Sequence, residues 1–247
     1  MLLRLLVAAL LVFAVPAVAQ EAALSAKQAE AVKKLIRDFL VENPEAIVDA
    51  LEAYQEKQRL AAEAEGKRAM AERKKDIYED PASPVGGNPK GDVTLVEFFD
   101  YNCSYCKSAH DGVVKTVKDD GKVRLIYKEF PILGPASVVA ARAALASVKQ
   151  KKYSEYQDAL MRLKGGLSED AIFKTAQSVG LNVEQLKADM ADKSIDEALA
   201  KTRDLARALG INGTPGFVIG EHIVPGAVPP ATLKQWIADA RAKPKKG

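Results

Sequence analysis

The sequence predicts an α/β protein with a helical stalk ahead of a strand-containing domain, and three observations carry that prediction. A short β-rich run, Thr94 to Phe99, leads directly into Cys103-Ser104-Tyr105-Cys106 and a helical pattern. A second such run, Val123 to Phe130, follows that helix, and after a block of helical patterns a last pair of short β-rich runs appears near the end. Ahead of them, residues 24 to 78 carry helical periodicity with no strand signal.

The chain starts with a targeting segment. Arg4 supplies a positive n-region, Leu5 to Val15 an apolar h-region, and Ala17-Val18-Ala19 an A-x-A cleavage site, so residues 1–19 are expected to be removed after Ala19. The stretch is too short to hold a mature chain in a bilayer, which makes the mature protein exported and soluble. Of 247 residues, 48% are hydrophobic, enough for a sizeable core. The 36 basic residues nearly balance the 33 acidic ones, so no basic field argues for nucleic acid, and residues 243–247 read as a solvated tail.

Residues 20–78 form the expected stalk. Val32, Leu35, Ile36, Phe39 and Leu40 recur at helical spacing opposite Lys33, Lys34 and Arg37, giving an amphipathic helix over 24–41. Asn43-Pro44-Glu45 offers an N-cap, a first-turn proline and an acidic first turn, so a second helix should start at Pro44 and run to about Tyr78, with Gly66 interrupting it. Its early stripe, Ile47, Leu51, Tyr54 and Leu60, cannot be buried by a lone helix pair. Either it packs back on the same chain or copies associate through residues 20–64.

Residues 79–91, with three prolines and three glycines, read as a linker to a domain over 92–242. There the strand from Thr94, the cysteine helix to about Asp119 and the strand from Val123 make a parallel β-α-β unit. Helices are expected over 137–149, 153–163, 168–179, 183–192 and 194–209, with Gly180 and Gly210 as C-caps. Phe217 to Ile219 and Ile223-Val224 flank a turn at Gly220-Glu221-His222, and a helix from Thr232 to Ala242 closes the chain.

Cys103 and Cys106 are the only two cysteines. At the start of a helix, Cys103 meets unpaired N–H groups and the positive end of the dipole, which favour its thiolate, while Cys106 lies one turn further in and more shielded. One attacking and one resolving sulfur suit thiol–disulfide exchange. Two other uses remain open. A zinc or copper site would draw on Cys103, Cys106 and His110, but no second Cys-x-x-Cys or His pair completes a set of four. A purely structural disulfide would close so short a loop that it removes little chain entropy. Export to an oxidising compartment with one cysteine pair favours redox use, which calls for no cofactor and no metal.

Three motifs in this order, Cys103-Ser104-Tyr105-Cys106 after a Val-Glu-Phe-Phe strand, Lys128-Glu129-Phe130-Pro131, and Gly213-Thr214-Pro215-Gly216-Phe217, resemble the DsbA-type thiol–disulfide oxidoreductases. The resemblance implies a thioredoxin fold with a helical insertion at about 134–209. Ile36-Arg37-Asp38-Phe39-Leu40 with Glu42-Asn43-Pro44-Glu45 further resembles the ScsC-like subgroup, whose members carry N-terminal oligomerisation helices and can form trimers.

By that resemblance Cys103 is the exposed nucleophile, Cys106 the resolving thiol, and the N–H groups of Ser104 and Tyr105 face the Cys103 sulfur. Thr214-Pro215 is a cis peptide against the sulfurs, and threonine before the proline, instead of valine, tilts towards isomerase-type relatives. A proline at a strand start leaves backbone that can pair with a substrate peptide. Glu97, six residues before Cys103, stands where relatives keep a buried acid that can take the resolving thiol's proton; its alternative is an edge glutamate facing water. Lys128 is expected to be solvated or paired with Glu97, His110 to lie on the helix surface, and His222 has no assigned role. The implied protein is periplasmic, acts on protein substrates with cysteines, and is reset by a membrane redox partner. It works as an isomerase or reductase, or alternatively as a monomeric dithiol oxidase; the third reading is a copper- or zinc-binding scavenger.

Overall fold

A computed structural model describes residues 24–242, so the targeting segment with its cleavage after Ala19 and the tail at 243–247 lie outside the described residues. Among them no helix is long and apolar enough to cross a membrane. The chain divides into two compact units, one ending at Glu56 and one starting at Lys57.

In the first unit, α1 (Ala26–Glu42) opens on a capping box, the Ser25 hydroxyl taking the Gln28 N–H while the Gln28 side chain returns to Ser25. Asn43, expected as the next N-cap, instead closes α1: its N–H and its Nδ2 both donate to the Phe39 carbonyl, at 2.8 and 2.9 Å. The helix α2 (Glu45–Glu72) begins two residues later. No residue of α1 is buried.

The rest of α2 belongs to the second unit, where Gly66 and Ala69 are buried. Gly66 does not interrupt the helix. It provides clearance: a Cβ there would stand 3.1 Å from Ile223 Cδ1 and 3.4 Å from the Leu209 carbonyl oxygen. The helix stops short of the expected Tyr78, and α3 (Lys74–Tyr78) restarts after Arg73. The segment expected as a linker contributes β1 (Val85–Gly87), which pairs antiparallel with the strand over Val123–Glu129.

β2 (Val93–Phe99), β3 (Val123–Glu129), β4 (Gly216–Ile219) and β5 (His222–Pro225) complete a five-stranded sheet in the order β1-β3-β2-β4-β5. β2 and β3 are parallel, as the β-α-β reading requires, and the other pairs are antiparallel. Both faces of β2 are covered, so Leu95, Phe99 and Tyr101 join one core while Val96 and Phe98 join another. The first core lies against α4 (Ser104–Asp120), the inserted helices and α10 (Pro230–Ala242); the second against α3 and the end of the helix over Lys193–Ala208.

The insertion consists of α5 (Pro135–Ala146), a 3-10 turn at Ser147–Gln150, α6 (Tyr153–Met161), α7 (Glu169–Ser178), α8 (Val183–Asp189) and α9 (Lys193–Ala208). Ser168, Asn182 and Asp192 each accept a backbone N–H and so start the last three. Gly180 and Gly210 sit past helix ends with φ of 81° and 71°, a conformation that costs glycine little. This is the mixed sheet with inserted helices that the thioredoxin resemblance implied.

Two side-chain expectations are corrected. Lys128 is neither solvated nor paired with Glu97: at 1% exposure its Nζ donates to the Asp76 carbonyl at 2.6 Å and Ser83 Oγ at 2.7 Å, with Asp80 at 3.4 Å. Burial lowers its pKa, with Asp80 acting against that shift. Neighbouring residues on a strand face opposite ways, so Lys128 points into the second core while Glu97 stands with the first. His222 lies in β5 instead of the turn and stacks on Trp236, centroids 5.8 Å apart.

Candidate active site

The strand β2 delivers the turn Asp100-Tyr101-Asn102, and Cys103 follows as the N-cap of α4. In that position its sulfur accepts the Cys106 N–H at 3.1 Å, as a capping side chain does. The sulfur also donates to the Thr214 carbonyl at 3.2 Å, so the sequence-distant Thr214 reaches the cysteine as expected. Both cysteines are free thiols.

Two details differ from the sequence reading. The backbone donor on Cys103 is the N–H of Cys106, not those of Ser104 and Tyr105, whose residues face solvent. Cys103 is also less open than an exposed nucleophile, at 4% exposure against 0% for Cys106. The order of access holds. Burial pushes the Cys106 thiol far above its ordinary pKa, and its hydrogen bond with Cys103 adds to the shift.

Thr214-Pro215 is cis. The strand it opens is not an edge: β4 lies between β2 and β5, and the Pro215 carbonyl already accepts the Gly226 N–H at 2.7 Å. From Pro215 onward this strand's backbone is therefore already paired within the sheet.

Glu97 takes the buried alternative at 2% exposure, and burial raises its pKa to about 7. It stands opposite Tyr127 on β3 and Phe217 on β4. A carboxyl titrating there can hold or release a proton near neutrality.

The sequence reading gave no role to a second buried acid, Glu129. Its Oε1 accepts phenol hydrogens from Tyr101 and Tyr153, both at 2.7 Å, while Oε2 is buried without a partner. Burial raises its pKa to about 8, against the lowering effect of the two phenols. The signal for it was a glutamate at the end of a strand, paired with Phe99, with Tyr101 in the turn after that paired strand and Tyr153 at the start of an inserted helix. His110 does not lie on the helix surface as expected. It is 3% exposed, and its Nε2 lies 2.8 Å from Asp158 Oδ1 of α6. Together with the Lys107 ammonium on the Leu163 carbonyl at 3.0 Å, it ties the cysteine helix to the insertion. Among the described residues no three His, Cys, Asp or Glu side chains gather as a metal site would require.

Comparison with known proteins agrees with this geometry. The thioredoxin family model matches residues 79–239, and that of the copper resistance protein ScsC N-terminal domain matches residues 28–61. A thioredoxin-like oxidoreductase from Silicibacter pomeroyi superimposes with a TM-score of 0.68 at 45% identity, covering 69% of this chain and 98% of that one. Proteus mirabilis ScsC in a transitional conformation superimposes with a TM-score of 0.67 at 33% identity, covering 90% of this chain and 100% of its own. "Probable disulfide bond formation protein D" of Bacillus cereus is 30% identical over 150 residues, 56% of this chain and 69% of that protein. The chain also matches a much longer protein, Na(+)/H(+) antiporter NhaA 3 of Salinispora tropica, at 27% identity, but spans only 26% of its length. With the cysteine pair, the Thr-Pro contact and the sheet in one place, the chain belongs to the DsbA-type branch of the thioredoxin superfamily, in the ScsC-like subgroup.

Proposed function

We propose that this protein is an exported, periplasmic thiol–disulfide oxidoreductase that reshuffles or reduces disulfides of protein substrates. The observation that carries the reading is the inequality of the two sulfurs: Cys103 caps a helix and accepts an N–H at 3.1 Å, whereas Cys106 is fully enclosed with its thiol pKa driven up. The thiolate of Cys103 attacks one sulfur of a substrate disulfide, forming a mixed disulfide and releasing the other sulfur as a thiolate. That thiolate can attack another bridge of the substrate, and the substrate thiolate this releases attacks the mixed disulfide and expels Cys103 as its thiolate, which is isomerisation with no net change of oxidation state. Alternatively Cys106 gives its proton to Glu97 and attacks the Cys103 sulfur; the substrate leaves reduced and the two electrons remain to be restored by a dithiol partner in the membrane.

The apolar stripe over residues 20–64 supports a homo-oligomer, a trimer by resemblance, holding several cysteine pairs around one space. Refolding of a scrambled-disulfide protein, run beside oxidation of a reduced one, tests the assignment. Faster recovery of the scrambled protein by the reduced enzyme supports an isomerase. Efficient oxidation by the disulfide form without such recovery would make it an oxidase, and stoichiometric copper or zinc retained through gel filtration without exchange would make it a scavenger.

A further inference from the structure

The exchange steps make no use of Glu129, yet three separate elements meet at its carboxyl. Glu129 closes β3. Tyr101, in the turn before Cys103, and Tyr153, the first residue of α6, both donate to Oε1 at 2.7 Å. All three side chains are buried. The other oxygen, Oε2, is enclosed with no hydrogen-bond partner. A buried polar atom left unpaired is costly, so stability alone does not account for an acid at this place.

Both tyrosines are also held by their rings. Tyr101 meets Phe99 edge-on with centroids 5.3 Å apart, and Tyr153 lies 5.6 Å from Tyr127. With its ring against the sheet and its hydroxyl on Glu129, Tyr101 pins the turn Asp100-Tyr101-Asn102 from the inside. The Asp100 carbonyl takes the Cys103 N–H at 3.1 Å, and the Cys103 sulfur in turn takes the Cys106 N–H at 3.1 Å. The hydrogen bond that reaches the sulfur is thus set by backbone that Glu129 holds. Helix α6 is fastened to the cysteine-bearing segment further along as well. Asp158 meets His110 at 2.8 Å, and past the end of the helix the Leu163 carbonyl accepts from Lys107 at 3.0 Å.

We propose that Glu129 is a positioning residue for thiol exchange: by gathering Tyr101 and Tyr153 on one oxygen it fixes the turn before Cys103 against the inserted helix α6, and so sets the capping geometry that makes the Cys103 sulfur reactive. The helical insertion is then part of the frame of the cysteine pair, because loosening α6 loosens the turn. The inference rests on the oxidoreductase reading and adds a residue to that same site.

The test measures the rate of exchange with a small disulfide flanked by glycine and the pH midpoint of Cys103 alkylation. Glu129→Leu keeps the bulk and removes both acceptors; it is expected to slow exchange about tenfold and to raise the midpoint, because the Cys106 N–H no longer meets the sulfur squarely. Glu129→Gln retains an oxygen for the two phenols and is expected to restore the rate to within about twofold of wild type. A charge effect would act differently: it would move both variants alike and lower the midpoint, since removing a nearby negative charge favours a thiolate. The Asp100 carboxylate, the other charge acting on Glu129, is the same in every variant. Tyr153→Phe deletes one oxygen from the insertion and keeps the ring; it is expected to slow exchange about threefold and to raise the midpoint, yet to add nothing to Glu129→Leu, because it acts only through that carboxyl. Equal slowing by Gln and Leu, a midpoint lowered in both, or a Tyr153→Phe protein indistinguishable from wild type overturns the proposal. If Glu129→Leu fails to fold, Tyr153→Phe decides alone on rate and midpoint together. A wild-type protein inert towards the small disulfide would instead overturn the oxidoreductase reading beneath it.

Discussion

Helix α2 passes through two environments, one open and one enclosed, and the contrast between them shows how differently the two units use their apolar surface. Its first part shows Ile47, Val48, Leu51 and Tyr54 at 53–60% exposure, while further along the same helix Gly66 and Ala69 are enclosed. In the second unit even ionisable groups are shut away: Glu97, Glu129 and Lys128 are each no more than 3% exposed. Burying a large aliphatic side chain contributes about 1.5–3 kcal/mol. The first unit leaves that contribution unused along both its helices, which suits a surface that other copies complete. The second has used it to hold acids at pKa values they would not have in water.

The largest expected effect breaks the symmetry between the two regions. Cys103→Ser is expected to abolish exchange, and Cys106→Ser to trap mixed disulfides with substrates, visible as adducts on a non-reducing gel. Removing residues 24–56 is expected to leave exchange with a small disulfide within about twofold, because no group of the cysteine site comes from there. Equal loss in the truncated protein would join what the comparison separates. A Cys106→Ser protein that trapped nothing and kept full activity would reverse the assigned roles.

The second effect belongs to the enclosed acids. Glu97 has a pKa of about 7 in the folded chain against 4.5 for a glutamate in water, so between these values the folded protein holds a proton the unfolded chain has lost. Stability contributed below pH 4.5 is therefore lost as pH rises through about 7, and Glu129 extends the loss to about 8. Glu97→Gln cannot ionise. Denaturant unfolding at pH 5 and pH 8 is expected to differ less in this variant than in the wild type, by on the order of 3 kcal/mol. Identical differences in both proteins would place the acid in water.

How much of this the sequence disclosed also divides by region and by distance along the chain. The cysteine helix, the parallel pair around it and the helices of the insertion are local patterns, and Ser168 starts a helix where one is expected, whereas Asp192, expected inside a helix over 183–192, instead caps the next one. What was missed depends on long-range partners. Lys128 looked like a solvated strand lysine because nothing local announces that Asp76, Asp80 and Ser83 will gather around its ammonium. His110 meets Asp158 only because the insertion folds back on α4, and Glu129 receives both its phenol hydrogens, on Oε1 alone, from tyrosines of two separate elements. The three-residue β1 lay in a run whose prolines and glycines read as pure linker, yet an edge strand tolerates them.

A third effect tests the open stripe. Phe39→Asp with Leu51→Asp alters two side chains that are each 53% exposed, so the stability of a single chain is expected to change by no more than about 0.5 kcal/mol. Sedimentation, by contrast, is expected to show the assembly reduced to monomers, since a charge at the centre of an apolar contact has no partner there. A wild-type protein already monomeric at working concentration would end the oligomer reading and leave the stripe to another partner.

The smallest expected effect lies at Gly66, further along α2 than that stripe. Replacing a glycine inside a helix with alanine gains up to about 1 kcal/mol, since the unfolded chain loses freedom and the helix gains a good former. Here the new methyl meets Ile223 Cδ1 at 3.1 Å and the Leu209 carbonyl oxygen at 3.4 Å. The first is the flexible tip of a side chain and can move; the second is backbone and cannot move cheaply. Gain and cost are therefore close, and Gly66→Ala is expected to change stability by less than about 1 kcal/mol. Gly66→Leu adds three more carbons at the same approach and is expected to cost about 1–3 kcal/mol or more, on the order found for overpacked cores. Thermal unfolding of both variants decides the point. A leucine tolerated as well as alanine would mean that α2 does not lie tightly on this unit in solution, and the contrast along the helix would lose its buried half.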